Sequence, residues 1–432
     1  MEELMENELA EVLEVASEAG HILLENGAEI SRVEDIMARI ATTYGVDSGS
    51  FFVISNGIFT TGRINHVRSG GGQAQTYANV EFIPLKGIQL SKVVAVNRLS
   101  YDISNGLCSL EQARERLRII RNAPSQPAWM TALCTAVGAA GFSAVFGGSW
   151  LDCAAAFVVG LVLFLYMYFV SVRHLSKIVG GLSNALVATL LCLAFYRIGF
   201  GGSLSNMIIG SIMPLIPGVP FVNGVRDLAN SDYLAGLTRL TDAMLGFVCI
   251  ALGVAFGFML DGWVFGGVIA LHGLNVSPQT ASLAVQILAA FAGTFAFAGL
   301  FGVPRPQFTA AGLVGAAGWA LYLILVRYAA AAPMIAIILA SVFVCMLARI
   351  AAVWQKCPAQ VFLLCGIFPL VPGAGLFWFT YYMVSGQFTL SLSSGWDAVK
   401  AAVAIVLGII LAMELPQRLF SGRKGHPGHM VH

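Results

Sequence analysis

Charge is scarce in this chain. Only 11% of its 432 residues are Asp, Glu, Lys or Arg, and residues 128–432 hold seven acids and 13 basic residues. With 57% hydrophobic residues and a mean hydropathy of +0.79, that scarcity excludes an ordinary soluble protein. The length excludes a single membrane anchor, so a polytopic membrane protein is the class that remains. Cysteine is thin and scattered. The eight (Cys108, Cys134, Cys153, Cys192, Cys249, Cys345, Cys357 and Cys365) have no Cys-x-x-Cys spacing and read as small packing residues, which excludes a disulfide or zinc framework. Neither a metal-ligand cluster nor a nucleophile triad is visible, so no metal, no cofactor and no enzymatic activity are expected. The opening Met1-Glu2-Glu3-Leu4-Met5-Glu6 is acidic without an apolar core and predicts no signal peptide.

What is present begins with a contrast. Residues 1–127 carry 16 acidic and 11 basic residues, a net of −5, and read as a water-soluble α+β domain. An amphipathic helix is expected from Leu4 to Leu24, ending at Asn26-Gly27. A second runs from Ser31 to Tyr44, with Ser31 and Glu34 at capping-box spacing. Strands are expected over Phe51–Ile54, Ile58–Thr60, Tyr77–Ile83 and Val93–Val96. Ser69-Gly70-Gly71-Gly72 lacks a following Lys-Ser/Thr and a helix, so it reads as a hairpin turn rather than a phosphate loop. A helix over Leu110–Ile120 leads to Pro124 and Pro127, which close the domain.

Ten apolar segments follow, each allowing about 20 residues per span. They lie near 128–147, 150–172, 179–200, 204–230, 239–260, 280–303, 308–327, 330–353, 358–384 and 396–415. Two are interrupted by one phrase, Pro214-Leu215-Ile216-Pro217-Gly218 and Pro369-Leu370-Val371-Pro372-Gly373, at an offset of 155 residues. At that offset Asp242-Ala243 also matches Asp397-Ala398, and Gly253 matches Gly408. A backbone break in a membrane helix leaves peptide groups unpaired unless protein or a wet cavity satisfies them. Two breaks in corresponding places mark a transporter built from repeats, with its site where the breaks meet. Lys and Arg near the span ends put Arg173, Lys177, Arg226, Arg239, Arg305, Arg349, Lys356 and Arg418 on one face, and only Arg197, Arg327 and Lys400 on the other. The soluble domain and both termini are therefore expected in the cytoplasm. Five spans separate the two copies, so the copies run in opposite directions. The expected architecture is an α-helical polytopic membrane protein, ten spans in an inverted five-plus-five repeat. Its parts are a cytoplasmic domain (1–127), a first membrane repeat (128–261), a connector (262–279, a surface or re-entrant piece), a second repeat (280–416) and a tail (417–432).

Ionisable groups inside spans are costly and usually functional. Asp152, Asp261 and Asp397 fall at outer span ends and Asp232 in a cytoplasmic loop, where solvation explains them. Asp227 follows the first break. It reads either as a local partner of Arg226 or Arg239, or as a proton or coupling-ion site, or as a ligand for a substrate ammonium. Asp242 is a second coupling candidate, with a first-turn helix acid as the plain alternative. Arg226 and Arg239 suit a substrate carboxylate, or anchor the cytoplasmic face. Asn223 and the backbone freed at Gly218 and Gly373 complete the polar contacts, bounded by the breaks Pro214, Pro217, Pro369 and Pro372. The second half-helix is aromatic (Phe377, Trp378, Tyr381 and Tyr382), and Trp378 is placed with the substrate contacts; an interfacial belt is the alternative for the tyrosines. Asn184 and Arg349 could line a cavity or pack. His174 and His272 read as loop residues.

The run Asn26-Gly27-Ala28-Glu29-Ile30-Ser31-Arg32-Val33-Glu34, with Tyr44-Gly45, resembles the opening signature of the threonine/serine exporter family. Pro217-Gly218, Asp227-Leu228 and Gly236-Leu237-Thr238-Arg239-Leu240 resemble its fourth-span motif. Phe301-Gly302-Val303-Pro304 and the second break are similar to its second membrane module. The resemblance covers nearly the whole chain and implies proton-driven export of small hydroxy amino acids, with a related split system exporting succinate. By that similarity Glu34, Asp227 and Arg239 match characteristic positions. Asn230-Ser231-Asp232 departs from the pattern, where a Gly is expected. The expected partners are a small-molecule substrate, protons and the lipid bilayer of the inner (plasma) membrane, with no nucleic acid. Gly-rich spans such as Val137–Gly141 permit packing within a protomer or in a homo-oligomer. Dicarboxylate export, and a soluble domain acting as a substrate sensor, remain as alternatives. An enzyme with a membrane anchor is disfavoured, since His21, His66 and Cys108 are isolated.

Overall fold

A computed structural model describes residues 2–46, 49–64, 75–84, 87–267, 269, 271 and 282–416. The expected turn at Ser69–Gly72, His272, most of the 262–279 connector and the 417–432 tail lie outside the described residues. The chain divides into two compact units. Met1–Thr131, Pro217–Leu245 and Gly299–Arg305 form one; Ala132–Ile216, Gly246–Ala298 and Pro306–His432 form the other.

The first unit contains the amino-terminal α+β domain. Helices α1 (Glu2–Glu25) and α2 (Ile30–Thr43) precede an antiparallel sheet of β1 (Ser50–Ile54), β2 (Gly57–Ile64) and β3 (Gln75–Phe82), in that order. Helices α3 (Leu90–Ser104) and α4 (Leu110–Asn122) follow. Residues alternate across a strand, so Val53 and Ile58, a cross-strand pair, are buried, while Phe52, Phe59 and Val80 share the other face and are exposed. The expected strand at Val93–Val96 is instead part of α3. Leu90, Val93, Val96, Ser100 and Ile103 are buried, a spacing of three and four that belongs to a helix. Three valines in four residues raised β-propensity without setting a period.

The Ser31–Glu34 capping box does not form. Glu29 is the N-cap of α2 and makes no side-chain capping bond. Glu34 Oε1 instead accepts from the Val53 amide at 3.0 Å, and Ser31 Oγ accepts from Asn230 Nδ2 at 3.0 Å. A capping box does form at the start of α4, between Ser109 and Gln112. Burial pushes the Glu34 carboxyl above its ordinary value of 4.5, partly offset by the Val53 amide and reinforced by Asp232, Asp35 and Asp227. A raised carboxyl pKa favours the folded state below the ordinary value, and that contribution disappears as pH rises through the raised one. Glu34→Gln keeps an acceptor for Val53. Melting of the variant is therefore expected to lose a downward slope with pH that begins near 4.5 in the wild type; identical slopes in the two proteins would refute this.

The membrane part comprises α5 (Ala128–Val145), α6 (Trp150–Tyr166) continued by a π-helical turn into α7 (Val172–His174), α8 (Lys177–Arg197), α9 (Leu204–Ile212), α10 (Gly218–Ala229), α11 (Tyr233–Phe265), α12 (Leu283–Leu300), α13 (Phe308–Arg327), α14 (Pro333–Gln355), α15 (Gln360–Gly366), α16 (Gly373–Val384) and α17 (Phe388–Met413). Among the described residues, eight helices are long and apolar enough to cross a membrane, and ten spans result if each bent pair counts as one. The protein is thus a helical polytopic membrane protein with a small amino-terminal sheet.

The 155-residue offset extends from side chains to backbone. Helices α5 and α12 begin and end 155 residues apart, as do α10 and α16, and α11 and α17 start at the same offset. Both breaks pass through one turn of 3-10 helix, Met213–Leu215 and Phe368–Leu370. Ile216 (φ −62°, ψ 126°) then matches Val371 (φ −64°, ψ 133°), and Pro217 (φ −77°, ψ 55°) matches Pro372 (φ −76°, ψ 50°). Pro217 and Pro372 fix their own φ and disfavour helical backbone at Ile216 and Val371, so a repeated sequence gives a repeated break.

Two acids expected to be solvated span ends are buried. Asp152, 1% exposed, accepts from Ser149 N and Oγ on its own helix and from the Gly202 and Ser203 amides before α9. Asp261, 5% exposed, takes a two-pronged bond from Arg197 at 2.7 and 2.6 Å. In both cases the ends of neighbouring helices are tied together by a carboxylate that protein donors satisfy.

Candidate functional site

The polar residues that follow the first break hold a peptide. Asn223, Arg226, Asp227 and Asn230 fall on one face of α10, being three, four and seven residues apart, and Arg239 stands two turns into α11. Asn223 Nδ2 donates to the Gly27 carbonyl at 2.9 Å, and Arg239 Nη2 to the Ala28 carbonyl at 2.8 Å. Arg226 Nη2 pairs with Glu29 Oε2 at 2.7 Å. The Ile30 amide donates to Asp227 Oδ1 at 3.3 Å. With Asn230 on Ser31, five successive residues of the amino-terminal segment are each gripped. Arg239 Nη1 also donates to Asp227 Oδ2 at 2.7 Å, joining the two helices. Asp227 is fully buried and Arg239 is 5% exposed.

Local geometry explains why these elements meet. Gly27 takes a left-handed φ of +87°, which lets the chain turn between α1 and α2 and present its backbone. A Cβ on Gly224 would stand 3.0 Å from the Gly236 carbonyl, so α10 and α11 approach through glycine. The turn between them uses Ser231 at φ +69°, the left-handed position where a Gly was expected. The Asp232 amide closes the turn on the Asp227 carbonyl at 2.8 Å. The first two stretches that resemble the exporter family are therefore the two halves of one latch.

The second unit contains a cavity of about 240 Å³. Its walls are Ser205, Asn206 and Ile209 of α9; Phe146 after α5; Trp319 and Tyr322 of α13; Ile337 of α14; the break Pro369–Pro372; Ala374, Gly375 and Trp378 of α16; and Asp397, Ala398 and Ala401 of α17. At about 30 Å³ per water molecule this is room for a small metabolite. One lining residue is acidic and none is Lys or Arg. Trp319 is 3% exposed, and its indole N–H has no hydrogen-bond partner among the described residues. Trp319 stacks on Tyr322 at 5.0 Å between ring centroids and meets Phe146 edge-on at 6.2 Å. The breaks meet beside it, since a Cβ on Gly373 would lie 2.8 Å from Met213 Sδ and 2.9 Å from Ile216 Cδ1.

Of the residues singled out in the sequence, Trp378, Pro369 and Pro372 line the cavity, and Asn223, Arg226, Asp227 and Arg239 belong to the latch. Gly218 is buried at the start of α10, Pro214 and Pro217 bound the first break, and Asp242 is half-buried on α11 in neither set. Asn184 is buried and Arg349 Nη1 donates to the Ala412 carbonyl at 2.7 Å; neither lines the cavity. Sequence reasoning missed Asn206 and Trp319, which sit in apolar helices with no motif around them. Asp397 carried a signal, as the repeat partner of Asp242, but was assigned to solvent. Its side chain is 64% exposed and pairs with Lys400 at 2.6 Å, yet it also forms part of the cavity wall.

A threonine/serine exporter family model matches residues 14–261, more than half of the chain. The chain belongs to the threonine/serine exporter family. A second model, "Threonine/Serine exporter, ThrE", matches residues 286–414, so latch and second break fall in different family modules. The chain is 28% identical over 361 residues to a "Probable threonine/serine exporter" of Mycobacterium tuberculosis, covering 78% of this chain and 64% of that relative. It is 23% identical over 419 residues to the "Threonine/serine exporter" of Corynebacterium glutamicum, covering 96% and 84%. It is 24% identical over 257 residues to the "Probable succinate transporter subunit YjjP" of Escherichia coli, covering 59% of this chain and 97% of that protein. No solved structure matches. By their names these relatives are exporters or a transporter subunit.

Proposed function

We propose that this protein is a secondary active exporter of serine and threonine, driven by proton antiport across the inner (plasma) membrane. The observation that carries the reading is the cavity beside the second break, which combines a small volume with one carboxylate and no basic side chain. Such a lining suits a molecule that carries an ammonium. Opposite orientation of the two repeats follows from the five spans between their copies, and the Lys and Arg distribution favours cytoplasmic termini. In this reading the latch fastens the amino-terminal domain to the fourth span. Asp227, whose charge holds both Arg239 and the Ile30 amide, is the proton-linked group, because neutralising it weakens both contacts. Asp242 is the lesser candidate. Succinate has less support: the two arginines that would suit its carboxylates are already engaged with Glu29, Asp227 and the Ala28 carbonyl.

Efflux from proteoliposomes preloaded with labelled serine, threonine or succinate tests this, with and without an imposed proton gradient. Gradient-stimulated loss of serine and threonine is expected. Loss of succinate alone would overturn the amino-acid reading, and efflux indifferent to the gradient would overturn antiport.

A further inference from the structure

We infer that residues 27–31 are a gate: they close, at the first break, the counterpart of the cavity that stands open at the second. This rests on the export reading above and gives the amino-terminal domain a working part in it.

The 155-residue offset relates the two places. Phe146, Trp378 and Asp397 line the cavity, and their counterparts are Phe301, Asn223 and Asp242. Helices α10 and α16 begin at counterpart glycines, so Asn223 stands as far along α10 as Trp378 does along α16. Trp378 borders the cavity. Asn223 is 2% exposed, and its Nδ2 holds the Gly27 carbonyl. Phe301 is covered as well. Helix α3 begins without a side-chain cap, and its Leu90 and Ser91 amides donate instead to the Phe301 and Gly302 carbonyls, at 3.0 and 2.7 Å. Gly302, at φ +62°, permits that approach, since a Cβ there would lie 3.1 Å from Gln89 Cα. A Cβ on Gly27 would lie 3.5 Å from Ile88 Cγ1, so residues 27–31 and 88–91 are neighbours. Two counterparts of the cavity wall, far apart in sequence, are therefore covered by one part of the amino-terminal domain.

The cover can leave without stranding a buried charge. Asp227 and Arg239 belong to α10 and α11 and hold each other, so that pair survives its departure. Glu29 has a second cation, Arg32, at 3.8 Å on the same side of the contact. Arg226 would lose Glu29, but its Nε and Nη1 have no hydrogen-bond partner among the described residues in the closed form. Water on the opened face would satisfy them, which lowers the cost of opening. A carrier must not open on both sides at once. In the orientation proposed above the two breaks serve opposite sides, so a covered first break beside an open second is one end state of alternating access.

The test is a reversible lock. In the full-length chain with its native cysteines replaced, Ser31→Cys and Asn230→Cys put thiols where Oγ and Nδ2 lie 3.0 Å apart. A short bis-methanethiosulfonate links them and a reductant frees them. Gradient-driven serine efflux from proteoliposomes is expected to fall about tenfold or more on linking and to return on reduction. A static fastening predicts no change, so a linked chain that exports as fast as the reduced one would overturn the gate. Opening is read separately, without substrate. The thiol of Asn223→Cys should react with a water-soluble maleimide in the folded protein. That of Val225→Cys should not, being 1% exposed and on the opposite face of α10. An Asn223→Cys thiol that stays unreactive until denaturation, or reacts no faster than that of Val225→Cys, would also overturn the gate. If the reduced chain exports neither serine nor threonine, the export reading fails, and the labelling still decides whether the cover opens.

Discussion

Asp227→Asn is expected to abolish the proton-driven efflux proposed above and to lower the melting temperature of the purified protein. The physical reason is burial. Asp227 is fully buried, Arg239 is 5% exposed, and the bond between them is 2.7 Å long. Removing one partner of such a pair leaves a charge without compensation, at a cost of about 3–5 kcal/mol. The loss spreads, because Asp227 also accepts from the Ile30 amide and Arg239 also donates to the Ala28 carbonyl. A double variant separates stability from coupling. Replacing both members, as Asp227→Leu with Arg239→Met, removes the stranded charge and should recover much of the stability. It should not recover gradient-driven efflux if Asp227 is the proton-linked group. Efflux in Asp227→Asn that still follows the proton gradient would remove the residue from that role, and an unchanged melting temperature would remove it from the latch.

Gly253→Val and Gly408→Val are expected to be damaging, each in the same way. The two glycines are 155 residues apart and do the same job in the two repeats. A Cβ on Gly253 would meet the Leu182 carbonyl oxygen, with Ala185 Cβ at 2.7 Å and the Leu186 amide nitrogen at 2.9 Å. One on Gly408 would meet Ser341 Cβ at 2.5 Å and the Ile338 carbonyl oxygen at 2.8 Å. Small residues let helix backbones approach inside a membrane, where packing rather than water drives association. Backbone atoms cannot rotate aside as a flexible side chain can, so helices α11 and α8, or α17 and α14, would have to separate. Overpacking costs about 1–3 kcal/mol where side chains can adjust, and more is expected here. Gly202→Ala is the control, since nothing lies within 4 Å of its added Cβ. Folded yield and melting temperature should fall for both valine variants and stay near wild type for the control. A valine variant as stable as the control would show that these helices are not held together at the glycines.

Much of the architecture was legible because its determinants are local or periodic. Apolar segments of span length emerged as helices, with α11 and α17 beginning at Tyr233 and Phe388 rather than near 239 and 396, since a chain in hydrocarbon must satisfy its backbone within each segment. Both breaks emerged at the proline pairs, since a proline ring acts on its own residue and the one before it. The failures have an equally physical cause. Val93, Val94 and Val96 are a short β-branched run, and only the burial of Leu90, Ser100 and Ile103 around them makes the helical period visible. Ser31 and Glu34 have the spacing of a capping box, but each finds a tertiary partner, Asn230 and Val53.

The candidate site divides along the same line. The composition of the polar face of α10 was readable, and Asp227 with Arg239 was among the pairs considered. That this face grips Gly27 to Ser31 was not readable, because the two segments are nearly 200 residues apart and the segment offers mainly backbone atoms, which carry no sequence signal. Asn206 and Trp319 lie in apolar helices, and only the packing of α9, α13, α16 and α17 brings them to one cavity. By itself the sequence determined the helical class, the 155-residue repeat and its breaks, because each depends on hydropathy or proline geometry along a short stretch. Tertiary structure alone decided which polar groups fasten the domain and which line the cavity, because a buried polar group is defined by the partner that satisfies it, and that partner is distant in the chain.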